Sequence, residues 1–146
     1  GRIPGTNRYS DLERHPDNEA LPGVLIFRSE GSLVYFNVDH VRDTVVAKAR
    51  SMTPVPGVVL CDLSNTPHID LAGAEMLKSL DADLRALGSR LLVVEARSTV
   101  RDRLRAEGLE ERLGRVDRST SVADAVAALQ GGPPTGNVAP QPPFQI

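Results

Sequence analysis

Residues Gly57-Val58-Val59-Leu60-Cys61-Asp62-Leu63 form a near-continuous apolar run that a polar loop and a long amphipathic pattern follow. A strand apolar on both of its alternating faces needs cover on both sides, which is the habit of parallel sheets layered between helices. The loop Ser64-Asn65-Thr66-Pro67-His68 then leads to Asp70, placed to cap a helix with Ala74, Leu77, Leu80, Leu84 and Leu87 on its apolar face and Gly88 at its end. This strand–loop–helix unit restricts the chain to folds in which helices cover a sheet.

The same reading extends in both directions. Val24-Leu25-Ile26-Phe27-Arg28 and Leu33-Val34-Tyr35-Phe36 are β-favouring runs around Glu30-Gly31-Ser32, the pattern of a hairpin or of two adjacent strands. Val38, Val41, Val45, Ala49 and Met52 recur at helical spacing, with Asn37 as N-cap and Pro54 and Pro56 as the stop. Arg90-Leu91-Leu92-Val93-Val94 is a further strand, and Ser98 or Thr99 is positioned to cap a helix carrying Val100 and Leu104 up to Gly108. Leu109 and Leu113 fall in a short segment, Val116 in a last brief strand, and Ser121 caps a helix with Val122, Val126 and Leu129 inward. The alternation predicts an α/β fold with a mixed, largely parallel β-sheet flanked by α-helices.

Both ends differ from this middle. Residues 1–23 carry Pro4, Gly5, Pro16, Pro22 and Gly23 around Tyr9-Ser10-Asp11-Leu12-Glu13, a turn-rich lead-in with room for one brief strand. Residues 131–146 hold five prolines in sixteen positions and are expected to be a disordered or extended tail. The domain itself is therefore placed at 1–130.

Composition narrows the chemistry. No apolar run approaches the roughly 20 residues that span a bilayer. A net charge of −2 lacks the basic surplus of a general nucleic-acid binder. The single cysteine, Cys61, excludes an internal disulfide and points to a reducing, intracellular setting. It sits inside an apolar strand, where a small buried hydrophobe is expected and a nucleophile is not. His15, His40 and His68 lie in three separate segments without metal-ligand spacing, and no phosphate-loop, dinucleotide or nucleophile-elbow motif occurs. Neither metal nor cofactor is expected, and no enzyme activity. Seven arginines crowd Arg97 to Arg118, with Arg97, Arg101 and Arg105 on one helical face; five acids share the stretch, so an ion-paired solvated face is expected there.

The loop from Asp62 to Gly73 is where function is sought. It joins a strand's carboxyl end to a helix N-terminus, the customary binding edge of open α/β sheets. Ser64, Asn65, Thr66, Asp70, Leu71, Ala72 and Gly73 line it as a partner- or anion-binding loop; the alternative is a simple capped turn.

Val58-Val59-Leu60-Cys61-Asp62-Leu63-Ser64, His68-Ile69-Asp70-Leu71-Ala72-Gly73-Ala74 and Gly88-Ser89-Arg90-Leu91-Leu92-Val93-Val94 together resemble the STAS domain of sulfate transporters and anti-sigma factor antagonists. Gly1-Arg2-Ile3-Pro4-Gly5-Thr6-Asn7-Arg8-Tyr9, Leu12-Glu13-Arg14-His15-Pro16, Leu21 to Arg28 and Tyr35-Phe36-Asn37-Val38 resemble the segment after the last membrane helix in the sulfate permease (SulP) family. The resemblance implies a cytoplasmic, non-catalytic C-terminal regulatory domain of a secondary anion transporter, with sulfate or bicarbonate as the transported class. Its implied partner is its own transmembrane domain, with a homodimer or a cytosolic regulatory protein as further partners and no nucleic acid. The absence of an initiator methionine fits an upstream membrane domain. The alternative is a free-standing anti-sigma antagonist. In those proteins a phosphorylatable serine directly precedes the loop glycine; here Ala72 stands there, preceded by Leu71.

Overall fold

A computed structural model describes residues 1–131; the proline-rich segment 132–146 lies outside the described residues. Three parallel strands form one sheet in the order β1 (Val24–Arg28), β2 (Val58–Asp62), β3 (Arg90–Val94). Their register is even, Val24 beside Val58 beside Arg90, so the carboxyl ends Arg28, Asp62 and Val94 finish level.

The helices α1 (Val38–Ser51) and α2 (Leu71–Ala86) lie in the crossovers from β1 to β2 and from β2 to β3; α3 (Ser98–Ala106) and α4 (Val122–Leu129) follow β3. Because side chains alternate along a strand, the sheet has two different faces. Leu25, Phe27, Val59, Cys61, Leu91 and Val93 join the larger core with α1, α2 and α3. Val24, Ile26, Val58, Leu60, Leu92 and Val94 meet α4, Leu21 and Tyr9 in a smaller second core. Both faces of β2 are thus covered, which is why it is apolar from Val58 to Cys61.

The helical faces match their spacing. Val38, Val45 and Ala49 of α1 and Ala74, Leu77, Leu80 and Leu84 of α2 are buried, with Val41 and Leu87 packed at the margin. Gly88 takes φ +83° after α2, the left-handed turn for which glycine carries no steric cost. Ser121 and Asp124 close a reciprocal capping box on α4.

Several expectations are corrected. Leu33–Phe36 is not a strand: Leu33 makes one parallel bridge to Ile69, and the Asn37 carboxamide oxygen then accepts from the Val34 N–H at 3.0 Å, turning the chain into α1. A local side-chain bond has displaced a ladder, and Asn37 makes no side-chain cap of its own on α1. Tyr9–Glu13 contributes only a bridge from Tyr9 to Arg2, and Val116 lies in irregular chain, where the Val93 N–H bonds the Leu113 carbonyl. The α3 N-cap is Arg97; Ser98 is already helical and neither Ser98 nor Thr99 caps. Finally, Leu129 at the end of α4 is 39% exposed, where spacing placed it inward.

Candidate functional site

The loop between β2 and α2 is built from main-chain bonds outward. Leu63 extends the sheet by donating to the Val94 carbonyl (3.1 Å), and the Thr66 N–H closes a turn on the Leu63 carbonyl (3.0 Å). Asp62, 2% exposed, serves both sides of this turn. One oxygen accepts from the Ser64 N–H at 2.9 Å, and the other from Arg28 Nε at 2.7 Å across the strand pair. Asn65 reaches back to Glu30 at 2.8 Å. Sequence reasoning passed over Arg28 and Glu30, because their role depends on β1 lying beside β2.

A second wall comes from residues 32–37. The Leu33 N–H donates to the His68 carbonyl (3.1 Å), and the Asp70 N–H to the Leu33 carbonyl (3.3 Å). Asp70 then takes two further donors, Gly73 N–H at 2.8 Å as the helix N-cap and Tyr35 N–H at 3.1 Å. These bonds to the ionised form, that from Gly73 foremost, hold the Asp70 carboxyl below its ordinary range. Gly73 is buried, and a side chain there would strike the Leu33 carbonyl oxygen and come within 2.5 Å of Ile69 Cγ1. Its glycine is therefore required by close packing of two backbones.

The seven loop residues do not share one surface. Asn65 and Leu71 are exposed, Ser64, Asp70 and Ala72 are half-buried, and Thr66 and Gly73 are buried. Thr66 Oγ1 has no hydrogen-bond partner among the described residues. The helix N-terminus that would attract an anion already holds a carboxylate, that of Asp70. Beside it stand Tyr35 and Phe36, each 76% exposed, in an edge-to-face pair with centroids 5.7 Å apart.

Cys61 is fully buried, and burial, with the neighbouring Asp62 carboxylate, pushes its thiol up and away from thiolate formation. Among the arginines, Arg105 pairs with Asp102 and Glu110, Arg103 with Glu107, and Arg112 with the fully buried Asp81 at 2.6 Å. Arg101 donates to the Ala96 carbonyl at 2.6 Å. Among the described residues no helix is long and apolar enough to cross a membrane.

The STAS domain family model matches residues 15–125. High affinity sulfate transporter 2 of Stylosanthes hamata is 26% identical over 143 residues, covering 92% of this chain and 21% of that protein. The chain thus spans about a fifth of the length of such relatives. Among solved structures, the murine Solute Carrier 26 family member A9 anion transporter superposes with a TM-score of 0.77 at 22% identity, over 90% of this chain and 21% of that one. The STAS domain of a SulP transporter from Vibrio cholerae gives 0.65 at 20% identity, over 82% and 91% of the two chains. The anti-sigma factor antagonist SpoIIAA in its unphosphorylated form gives 0.62 at 17%, over 74% and 89%. At these identities the structures establish a common fold, a parallel sheet with flanking helices. With the family model covering most of the described residues, the chain belongs to the STAS domain family.

Proposed function

We propose that this domain is the cytoplasmic, non-catalytic regulatory and interaction module of a SulP-type secondary anion transporter, carrying sulfate or bicarbonate. In this reading residues 1–130 are the domain, and 1–23 lead in from a membrane domain that is its principal partner. The sulfate transporters among its relatives support the assignment. The observation that carries it is the first turn of α2. Asp70 already occupies the Gly73 N–H that an anionic ligand would use, while Leu71 beside it is 54% exposed. That corner offers shape and apolar surface to a protein, and no reactive group. Ser64, Asn65, Thr66, Asp70, Leu71, Ala72 and Gly73 form the partner-facing loop, with Asn65 and Leu71 as its outward contacts and the others as its frame. A homodimer or a cytosolic regulatory protein is a further partner of the same module. Uptake of labelled sulfate and bicarbonate by cells expressing the full-length parent, with and without this domain, tests the reading. Uptake altered by removing the domain is the expected result; unchanged uptake, or none from either form, would count against it.

The likeness to SpoIIAA favours a second reading, a free-standing signalling switch. Ala72 offers no hydroxyl before Gly73, and Thr66 is fully buried, out of reach of a kinase. A parent reading frame without upstream membrane helices would support the switch.

A further inference from the structure

Tyr35 and Phe36 are the most exposed large apolar side chains among the described residues, and Leu71 follows them. They share one corner, because the Tyr35 N–H is bonded to the Asp70 carboxylate immediately before Leu71. Isolated exposed apolar residues are ordinary; two aromatics and a leucine gathered at one corner are not. The aromatic pair is also ordered by its own edge-to-face contact, and its backbone is held by Asn37 and Asp70. Little conformational freedom is left to lose when a partner covers it.

The charges around this corner identify the partner's chemistry. Asp39 lies in the first turn of α1 just after Phe36, and Asp43 follows one turn later on the same side. Glu75 lies one turn beyond Leu71 on α2, and Asp70 completes the acidic set at the corner. Against these stand Arg42, bonded to Asp83 at 2.7 Å, and Lys78, 4.0 Å from Glu75. Asp39 and Asp43, which both lie in the field of Arg42, form no salt bridge among the described residues. The rim is therefore acidic around an apolar centre. It repels an anionic lipid surface and attracts a cationic protein segment.

From this complementarity we infer that Tyr35, Phe36 and Leu71 form a docking surface for a lysine- or arginine-bearing apolar segment supplied by the cytoplasmic loops of the transporter's membrane domain. Such loops are enriched in Lys and Arg, which matches the rim, and their junctions with membrane helices supply apolar side chains for the centre. The inference rests on the transporter reading above and names the surface through which the domain engages its membrane partner.

The test uses the 146-residue chain, isotope-labelled for NMR, with three synthetic amphipathic helical peptides sharing one leucine face. Their remaining positions carry lysine, glutamine or glutamate. The lysine peptide is expected to shift the resonances of Tyr35, Phe36 and Leu71, and to bind about tenfold more tightly than the glutamine peptide, with the glutamate peptide weakest. Asp39→Asn with Asp43→Asn should remove that preference, and Tyr35→Ser with Phe36→Ser should remove binding. Because the resonance map locates the site in the unaltered chain, the outcome does not depend on the variants folding. Equal binding of all three peptides, shifts confined to another face, or binding to phosphatidylserine vesicles would overturn the inference. So would self-association of the chain that the serine variant abolishes, since a second copy would then be the occupant. Anion uptake indifferent to the domain would sink the transporter reading alone; failed peptide binding with domain-dependent uptake would sink the docking surface alone.

Discussion

Arg28 and Asp62 end neighbouring strands as register partners, and their side chains meet at 2.7 Å with the carboxylate almost wholly shielded from water. The pair locks the carboxyl edge of the sheet at the point where the functional loop departs. Through the Ser64 N–H, the same carboxylate also starts that loop's first turn.

Removing the cation strands a buried charge, which costs far more than an exposed ion pair would contribute. Arg28→Leu should therefore destabilise the domain by about 3 kcal/mol in urea unfolding. A double variant, Arg28→Leu with Asp62→Leu, should recover part of that loss. Recovery stays incomplete because the Ser64 N–H loses its acceptor. Equal stability of Arg28→Leu and the unaltered chain would show that the pair contributes nothing.

Gly73 packs against the Leu33 carbonyl with no room for a methyl group. Gly73→Ala should push the 33–37 segment away from the loop and cost roughly 2 kcal/mol or more, at the upper part of the overpacking range. Hydrogen exchange should report it locally: the Asp70 and Leu33 amides, bonded across this contact, lose protection first. A fully protected pair in the alanine variant would refute the packing account.

Asp70 gives a pH signature. Its carboxyl is held below the ordinary value, so its contribution is complete above the unfolded value, near pH 4, and is lost as pH falls through the folded one. Asp70→Ala should lower the melting temperature by roughly 2–4 °C at neutral pH through loss of the cap. That gap should narrow steadily in scans taken below about pH 4. A gap independent of pH would mean that the ionised carboxylate is not the stabilising species.

Cys61 should be silent in the native state. Burial denies it both reagent access and thiolate character. Modification by a thiol-reactive dye should proceed at the rate of global unfolding and accelerate with urea in parallel with it. Fast labelling in native buffer would show local opening of β2.

What could be read in advance follows from how local each signal is. The faces of α1 and α2 were legible because helical neighbours lie three and four residues apart in sequence, so Val38, Val45, Leu77 and Leu84 announce themselves. The Asp70 cap and the Gly88 stop are likewise local chemistry. Leu33–Phe36 was not legible. Its composition is as β-favouring as that of β1, but a strand requires a neighbouring backbone, and only Leu33 finds one. Leu129 misled as well: it is the last residue of the eight-residue α4 and is 39% exposed, while Val122, Ala125 and Val126 are buried.

The sequence by itself determined the layered α/β class, the strand–loop–helix unit around Asp70 and the kinship of that unit to the STAS family, because these rest on periodicity, caps and short-range motifs. Tertiary structure alone decided that Arg28 neutralises Asp62, that Gly73 must lack a side chain, and that Tyr35 and Phe36 stand outside the core beside Leu71. Each of those depends on segments tens of residues apart meeting at one edge of the sheet, and the distances between them exist only once the chain has folded.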